Sequence, residues 1–116
     1  MFETLIQKLQ EDKFLTLETT PQHEPSMHNI IERIKKFKLQ DRVDGFSCTD
    51  NPLAKLKYNA LFASLKLQME FKKPVIATMS MRDRNKIALQ SDLMAANDFD
   101  VRAILALTGD PAKMSD

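Results

Sequence analysis

Four apolar, strand-like segments recur at intervals of about thirty residues, and this repeat constrains the fold more than any other feature of the chain. The segments begin near residues 14, 43, 75 and 103, and apolar residues at helical spacing precede each of them. A span of about thirty residues accommodates one strand and one helix. Because strands connected through helices must run parallel, with right-handed crossovers, the order α-β-α-β-α-β-α-β predicts an α/β protein of four βα units.

The same periodicity predicts where the elements lie. The expected strands are residues 14–18, 43–49, 75–79 and 103–107. Helices are expected at the N-terminus, after the first strand, over residues 59–71 and after the third strand. Ser80 and Asp83 have the spacing of a capping box, which predicts that the fourth helix starts near Arg82 or Arg84. The fourth strand is apolar throughout, as expected of a parallel strand that is buried on both faces.

The length of the chain limits how these units can be arranged. A chain of 116 residues is enough for one modest domain and leaves no room for a second. Four parallel strands could form an open doubly wound sheet or half of a (β/α)8 TIM-type barrel. Periodicity does not separate these two arrangements.

The composition excludes several classes of function. The 17 Lys and Arg residues nearly balance the 16 Asp and Glu residues, so net charge selects neither nucleic acid nor an anionic membrane. No apolar run approaches the roughly 20 residues of a membrane span, and the N-terminus lacks a signal-peptide pattern. The two glycines, Gly45 and Gly109, are too few for a glycine-rich phosphate loop. The single Cys48 excludes an internal disulfide, favours a reducing cytoplasm and is interpreted as inert core.

Polar residues gather where the four strands end. Parallel strands place their carboxyl ends on one edge of the sheet, where the loops of α/β proteins carry the chemistry. Each end delivers a carboxylate, from Glu18, Asp50, Asp83 and Asp110. Asp50 and Asp83 stand just ahead of predicted helices and are therefore interpreted as caps. Glu18 has no helix immediately after it, and the partial burial expected there suits a glutamate to general acid catalysis rather than to a structural salt bridge.

Other polar residues allow two interpretations each. Gly109 indicates either a plain turn or a close backbone approach or positive φ beside a ligand. Arg82 and Arg84 at a helix start could bind phosphate or could simply face solvent. His23 and His28 have no Cys, Asp or Glu at ligand spacing, so they are interpreted as surface or capping residues and no metal site is predicted.

Four sequence motifs lie at the strand ends in a fixed order. They are T-L-E-T-T-P at 16–21, C-T-D-N-P-L-A-K-L at 48–56, R-D-R-N-K-I-A-L-Q-S-D-L at 82–93 and L-A-L-T-G-D-P at 105–111. Together they resemble the N-terminal half of the methylenetetrahydrofolate reductases, the flavin-dependent barrel enzymes of one-carbon metabolism. The resemblance implies that residues 1–116 form a single partial domain, the N-terminal half of a (β/α)8 barrel.

The resemblance also implies a reaction and a set of site residues. The family reduces 5,10-methylenetetrahydrofolate to 5-methyltetrahydrofolate, for methionine biosynthesis, with electrons passing from NADH, NADPH or another donor through FAD. Glu18 would be the acid that assists opening of the imidazolidine ring, and Asp110 would contact the flavin and the folate pterin. The implied flavin site is lined by Thr49, Thr78, Leu107, Thr108, Gly109 and Asp110. Many members have histidine where this chain has Thr78, so one flavin contact is expected to differ.

The expected half-barrel has two open edges. A complete barrel of this kind takes ~250 residues, about twice the length of this chain. An isolated half would leave the first and fourth strands with unpaired backbone N–H and C=O groups. The chain could be a fragment of a longer enzyme, assemble as two copies, or carry another cover over an open sheet. We expect association, most simply as a two-fold homodimer.

Two other classes of function compete with the enzyme. One is a non-enzymatic (βα)4 interaction module that self-associates and keeps the motifs as structural residues. The other is a flavodoxin-like phosphoacceptor or phosphatase, which is disfavoured because the first strand ends in Glu18 rather than in a pair of aspartates. A flavin spectrum of the purified protein separates the enzyme from the interaction module.

Overall fold

A computed structural model describes residues 1–114 and contains one parallel four-stranded sheet in the order β1-β2-β3-β4. The strands are β1 (Thr16–Thr19), β2 (Gly45–Cys48), β3 (Val75–Ser80) and β4 (Ala103–Leu107). The helices are α1 (Phe2–Glu11), α2 (His28–Lys36), α3 (Ala60–Phe71) and α4 (Lys86–Asp98), with short 3₁₀ helices at Leu39–Arg42, Pro52–Ala54 and Ala112–Met114. The predicted α/β class and alternating order are confirmed, and the arrangement is consistent with half of a TIM-type barrel.

The hydrophobic core lies between one face of the sheet and the helices. Strand pairing aligns Phe46 of β2 with Val75 of β3, and Cys48 with Ala77, so these four side chains share a face. All four are buried against apolar residues of α2 and α3, such as Ile34 of α2. Glycine is required at the start of β2, because a Cβ on Gly45 would lie 2.3 Å from the carbonyl oxygen of Pro74.

Small side chains on α3 bring this helix close to the sheet. Asn59 caps the helix by accepting a hydrogen bond from the backbone N–H of Phe62. Ala60, Ala63 and Ser64 are fully buried. The hydroxyl of Ser64 donates a hydrogen bond to the carbonyl oxygen of Ala60 at 2.8 Å. Phe62, by contrast, lies on the exposed side. The close packing holds β2 and β3 in place beneath the loops that follow them.

The fourth helix begins later than the sequence predicts. Asn85, rather than Ser80, caps α4 by accepting a hydrogen bond from the backbone N–H of Ala88. The hydroxyl of Ser80 instead accepts from the backbone N–H of Arg82, which makes a turn within the preceding loop. The predicted capping box is therefore wrong, because its serine already belongs to β3 and a second capping residue stands closer to the helix.

The face of the sheet opposite the helices is open within the described residues. The pairing of Thr78 with Leu105 and of Ser80 with Leu107 places these side chains on that face. Leu105 is 52% exposed and Leu107 is 45% exposed. The prediction that β4 is buried on both faces is therefore wrong, because no element among residues 1–114 covers the face that carries Leu105 and Leu107.

Candidate functional site

A cavity of about 330 Å³ lies at the carboxyl ends of the four strands. The sequence-predicted positions that line it are Glu18, Thr49, Thr78, Leu107, Thr108, Gly109 and Asp110. Every residue that the family resemblance implies for catalysis or flavin binding therefore borders one space. This placement makes a shared function geometrically possible, and the individual chemical roles stay predictions.

Glu18 projects from the open face of the sheet. It pairs with Ser47 of β2, on the face opposite the buried Phe46 and Cys48. Its side chain is exposed, so the partial burial predicted for it is wrong for the described part of the chain. The physical reason is the open face itself, because nothing within residues 1–114 lies over this end of β1. The carboxyl group borders the cavity and is accessible to a ligand there.

Two threonines form the polar floor of the cavity. Thr78 is buried in the middle of the sheet, next to Leu105 of the edge strand. The hydroxyl oxygen of Thr49 is shielded from solvent and has no hydrogen-bond partner among the described residues. An unpaired buried hydroxyl costs about 1–3 kcal/mol, so such a group is better accommodated when a ligand atom bonds to it. Thr49 therefore marks a position where a polar ligand atom would be stabilised.

The turn after β4 has a backbone that only glycine accommodates well. Gly109 has φ +94°, and a Cβ there would lie 2.3 Å from the hydroxyl oxygen of Ser80 and 3.0 Å from the Cβ of Arg82. The positive φ and the close approach predicted for Gly109 are both found, and the close approach is made to the end of β3. The next residue, Asp110, is thereby directed to the mouth of the cavity.

Asp110 is tied to a strained loop that follows β2. Its carboxylate oxygen Oδ2 accepts a hydrogen bond from the backbone N–H of Leu53 at 2.5 Å. Asn51, Leu53 and Ala54 have φ of 42°, 59° and 56°, in the left-handed region, which asparagine tolerates but which costs residues such as Leu53 and Ala54 about 1–2 kcal/mol each. The loop thus stores strain beside the cavity, and its contact with Asp110 helps to hold it there.

A buried ion pair lies beside the cavity, and its carboxylate partner, Asp50, helps to line it. The side chain of Asp50 is 1% exposed and accepts hydrogen bonds from the backbone N–H of Ser80 at 2.8 Å and from Nη1 of Arg84 at 2.5 Å. Arg84 also donates to the carbonyl oxygen of Ser80 and to the carboxylate of Asp92. Burial opposes the charge of Arg84, but its hydrogen bonds and charge interactions with Asp50 and Asp92 outweigh burial and raise its pKa.

The ion pair corrects two sequence interpretations. Asp50 is not a helix cap, because its Oδ2 accepts from Ser80 of β3 and from Arg84, and its Oδ1 accepts from the side-chain amide of Asn51. Arg84 neither faces solvent nor is free for phosphate, because its guanidinium is taken up by two carboxylates and a carbonyl. Asp83 is not a cap either, since it accepts hydrogen bonds from Nε of Arg82 and its pKa is lowered by them.

The remaining candidates do not contribute to the cavity. His23 and His28 are exposed, and no cluster of three metal-ligating side chains occurs within residues 1–114. Cys48 lies in the core, where burial raises the pKa of its thiol, in keeping with an inert side chain. No helix in this part of the chain is long and apolar enough to cross a membrane.

Four further residues border the cavity that the sequence does not assign to a site, Asp50, Pro52, Ser80 and Leu105. The sequence predicts helix caps at Asp50 and Ser80, and a fully buried strand at Leu105. The pairing of alternate β4 residues with β3 provides the signal that identifies Leu105, because this position shares the open face with Thr78.

The comparison with known proteins identifies a family. The family model described as "Methylenetetrahydrofolate reductase" matches residues 2–116, nearly the whole chain. No curated protein matches the chain, and no solved structure matches it. The family match agrees with the four motifs at the strand ends.

We expect Asp50→Asn to destabilise the fold by roughly 3 kcal/mol, because it leaves the buried guanidinium of Arg84 without its closest counter-charge. Asparagine retains an acceptor for the N–H of Ser80, so the loss measures mainly the charge. Urea unfolding followed by circular dichroism measures the change in the free energy of unfolding. Asp41→Asn, at an exposed carboxylate, is the control and should change it by less than about 0.5 kcal/mol. Equal stabilities of the two variants would contradict a structural role for the pair.

Proposed function

The chain belongs to the methylenetetrahydrofolate reductase family, and on this premise we propose that its rim cavity is part of a site for FAD and folate. The proposed reaction is the reduction of 5,10-methylenetetrahydrofolate to 5-methyltetrahydrofolate in the cytoplasm, with NADH, NADPH or another donor. One observation carries the proposal. Positions from the ends of all four strands meet at one cavity, where the hydroxyl of Thr49 lacks a partner.

The lining of the cavity fits a flavin ring. Leu105 and Leu107 offer apolar surface on one side, and Thr49 and Thr78 offer hydroxyl groups at the floor. A volume of about 330 Å³ is at the lower end of the range for small-molecule sites, about 300–1,000 Å³. The cavity is therefore suited to hold the ring, while the remainder of the cofactor would extend along the open face.

The chain's own residues would orient the substrate and supply the proton. When bound, FAD would supply the hydride that reduces the methylene carbon. Glu18, whose exposed carboxyl borders the cavity, would donate a proton to the folate nitrogen that is released when the ring opens. Asp110 would hydrogen-bond the pterin, because a carboxylate offers about four acceptor positions and Leu53 occupies one of them. The Gly109 turn would fix the distance between Asp110 and the floor of the cavity.

The open face also requires a partner. Exposed Leu105 and Leu107 and the edges of β1 and β4 are surfaces that proteins cover with further strands. We propose that a second set of four βα units, from the same protein or from a second copy of this chain, covers the face and completes the site. The same exposed leucines favour the second candidate function, a non-catalytic module that self-associates.

A flavin titration tests the proposal. We expect the purified chain to bind FAD with quenching of flavin fluorescence, and Thr49→Val to weaken binding about three- to tenfold through the loss of one hydrogen bond. Thr4→Val, at an exposed position of α1, is the matched control and should bind as the wild type does. A chain that ignores FAD and sediments as a stable dimer would favour the self-associating module instead.

The proton-donor role of Glu18 is tested by separating the two half-reactions. Glu18→Gln should leave reduction of the bound flavin by the electron donor near the wild-type rate, because that step needs no proton from this carboxyl. Subsequent oxidation of the flavin by methylenetetrahydrofolate should fall by about 10²-fold or more, the lower range for removal of a general acid. Stopped-flow absorbance follows both steps. Equal losses in the two would mean that Glu18 serves the structure rather than the chemistry.

A further inference from the structure

We propose that Arg82 is a positioning residue that locks the Gly109–Asp110 turn against the loop of residues 51–54 and thereby sets the width of the cavity mouth. The inference deepens the proposed flavin and folate site, and it rests on that proposal for its effect on binding. Arg82 itself is not expected to touch the reacting atoms. It acts through the backbone of two loops that flank the cavity.

The guanidinium of Arg82 joins three loops at once. From the loop after β3, its Nη1 donates to the carbonyl oxygen of Asp110 at 3.0 Å, and its Nη2 approaches the carbonyl oxygen of Asn51 at 3.5 Å. Its Nε donates to both carboxylate oxygens of Asp83, at 3.0 and 2.9 Å. The side chain is only 15% exposed. One planar cation therefore bridges the loops that follow β2 and β4.

This bridge offsets two unfavourable features of the mouth. The carbonyl oxygens of Asn51 and Asp110 both approach the guanidinium of Arg82. The positive charge stabilises these two carbonyl dipoles, whose negative ends would otherwise repel each other. The loop of residues 51–54 also holds three non-glycine residues at positive φ. Strain of this kind persists only where the surroundings hold it. Arg82 and the Leu53–Asp110 hydrogen bond are two of the contacts that do so.

Arg82 and Arg84 have different structural roles at the rim of the sheet. Arg84 pairs with Asp50, after β2, and with Asp92 of α4, and so joins the end of β2 to α4. Arg82 bonds to the carboxylate of the adjacent Asp83 and, at the mouth, to the backbone carbonyls of Asp110 and Asn51. Loss of Arg84 should therefore lower the stability of the whole fold, whereas loss of Arg82 should loosen the two loops. An anion site at Arg82 is disfavoured, because its donors are already engaged.

Lysine cannot replace Arg82 in this geometry. Arginine presents five N–H donors in a rigid plane. In Arg82 the three nitrogen atoms point to three different acceptors: Nε to Asp83, Nη1 to the carbonyl of Asp110 and Nη2 to the carbonyl of Asn51. A lysine ammonium keeps the charge but is a compact point that cannot reach all three acceptors with one orientation. Arg82→Lys therefore separates positioning from charge, and Arg82→Gln removes both.

The experiment compares Arg82→Lys and Arg82→Gln with Arg102→Lys, at a 48% exposed arginine that pairs with Asp100 before β4. Amide hydrogen exchange by NMR should accelerate at least tenfold at Leu53 and Lys57, whose amides donate to Asp110 and Asn51, in both Arg82 variants. Exchange at the central β3 amides should remain at the wild-type rate. The visible spectrum of bound FAD should shift toward that of free FAD in both Arg82 variants and not in the control.

Two results would overturn the proposal: wild-type exchange at Leu53 and Lys57 in Arg82→Lys, or an even rise in exchange throughout β3, which would indicate general destabilisation. A wild-type chain that binds no FAD would contradict the proposed function alone. The exchange comparison does not need the flavin, so it would still decide whether Arg82 holds the two loops.

Discussion

The buried carboxylate of Asp50 is the contact on which the rim of the sheet depends. It joins the end of β2 to the backbone of β3 and, through Arg84, to α4. A buried ion pair adds little net stability because desolvation offsets much of the attraction, but removal of one partner is costly. Its main contribution is therefore to fix geometry. Ser80, held by Asp50, then supports Arg82 and contacts Gly109, so the position of Asp110 follows from the same network.

The order of the elements could be predicted because it depends on local periodicity. The bounds of β4 were predicted to the residue, since a short apolar run between turn residues has sharp ends. The grouping of Glu18, Thr49 and Asp110 at one cavity followed from parallel topology alone, which places every strand end on one edge. The positive φ of Gly109 could also be predicted, because few residues other than glycine tolerate such a turn.

The buried ion pair and the exposure of individual side chains could not be predicted from local sequence patterns. Asp50 and Arg84 are 34 positions apart, and no spacing rule connects residues at that distance. The sequence offers two possible caps for α4, Ser80 and Asn85. Asn85 is the cap because β3 extends through Ser80. The apolar run of β4 indicates burial, but periodicity does not say which neighbour provides it. Glu18 and Leu105 are exposed here because no element among residues 1–114 lies over their face of the sheet.

The most direct measurement of the central claim is chemical-shift mapping of ¹⁵N-labelled protein during addition of FAD. If the rim cavity is the flavin site, the largest shifts fall on the amides of Thr49, Thr78 and Gly109, and the helix-covered core face of β2 and β3 stays unchanged. Shifts that fall mainly on the outer surfaces of α2 and α3, or no shifts at saturating FAD, would contradict the account.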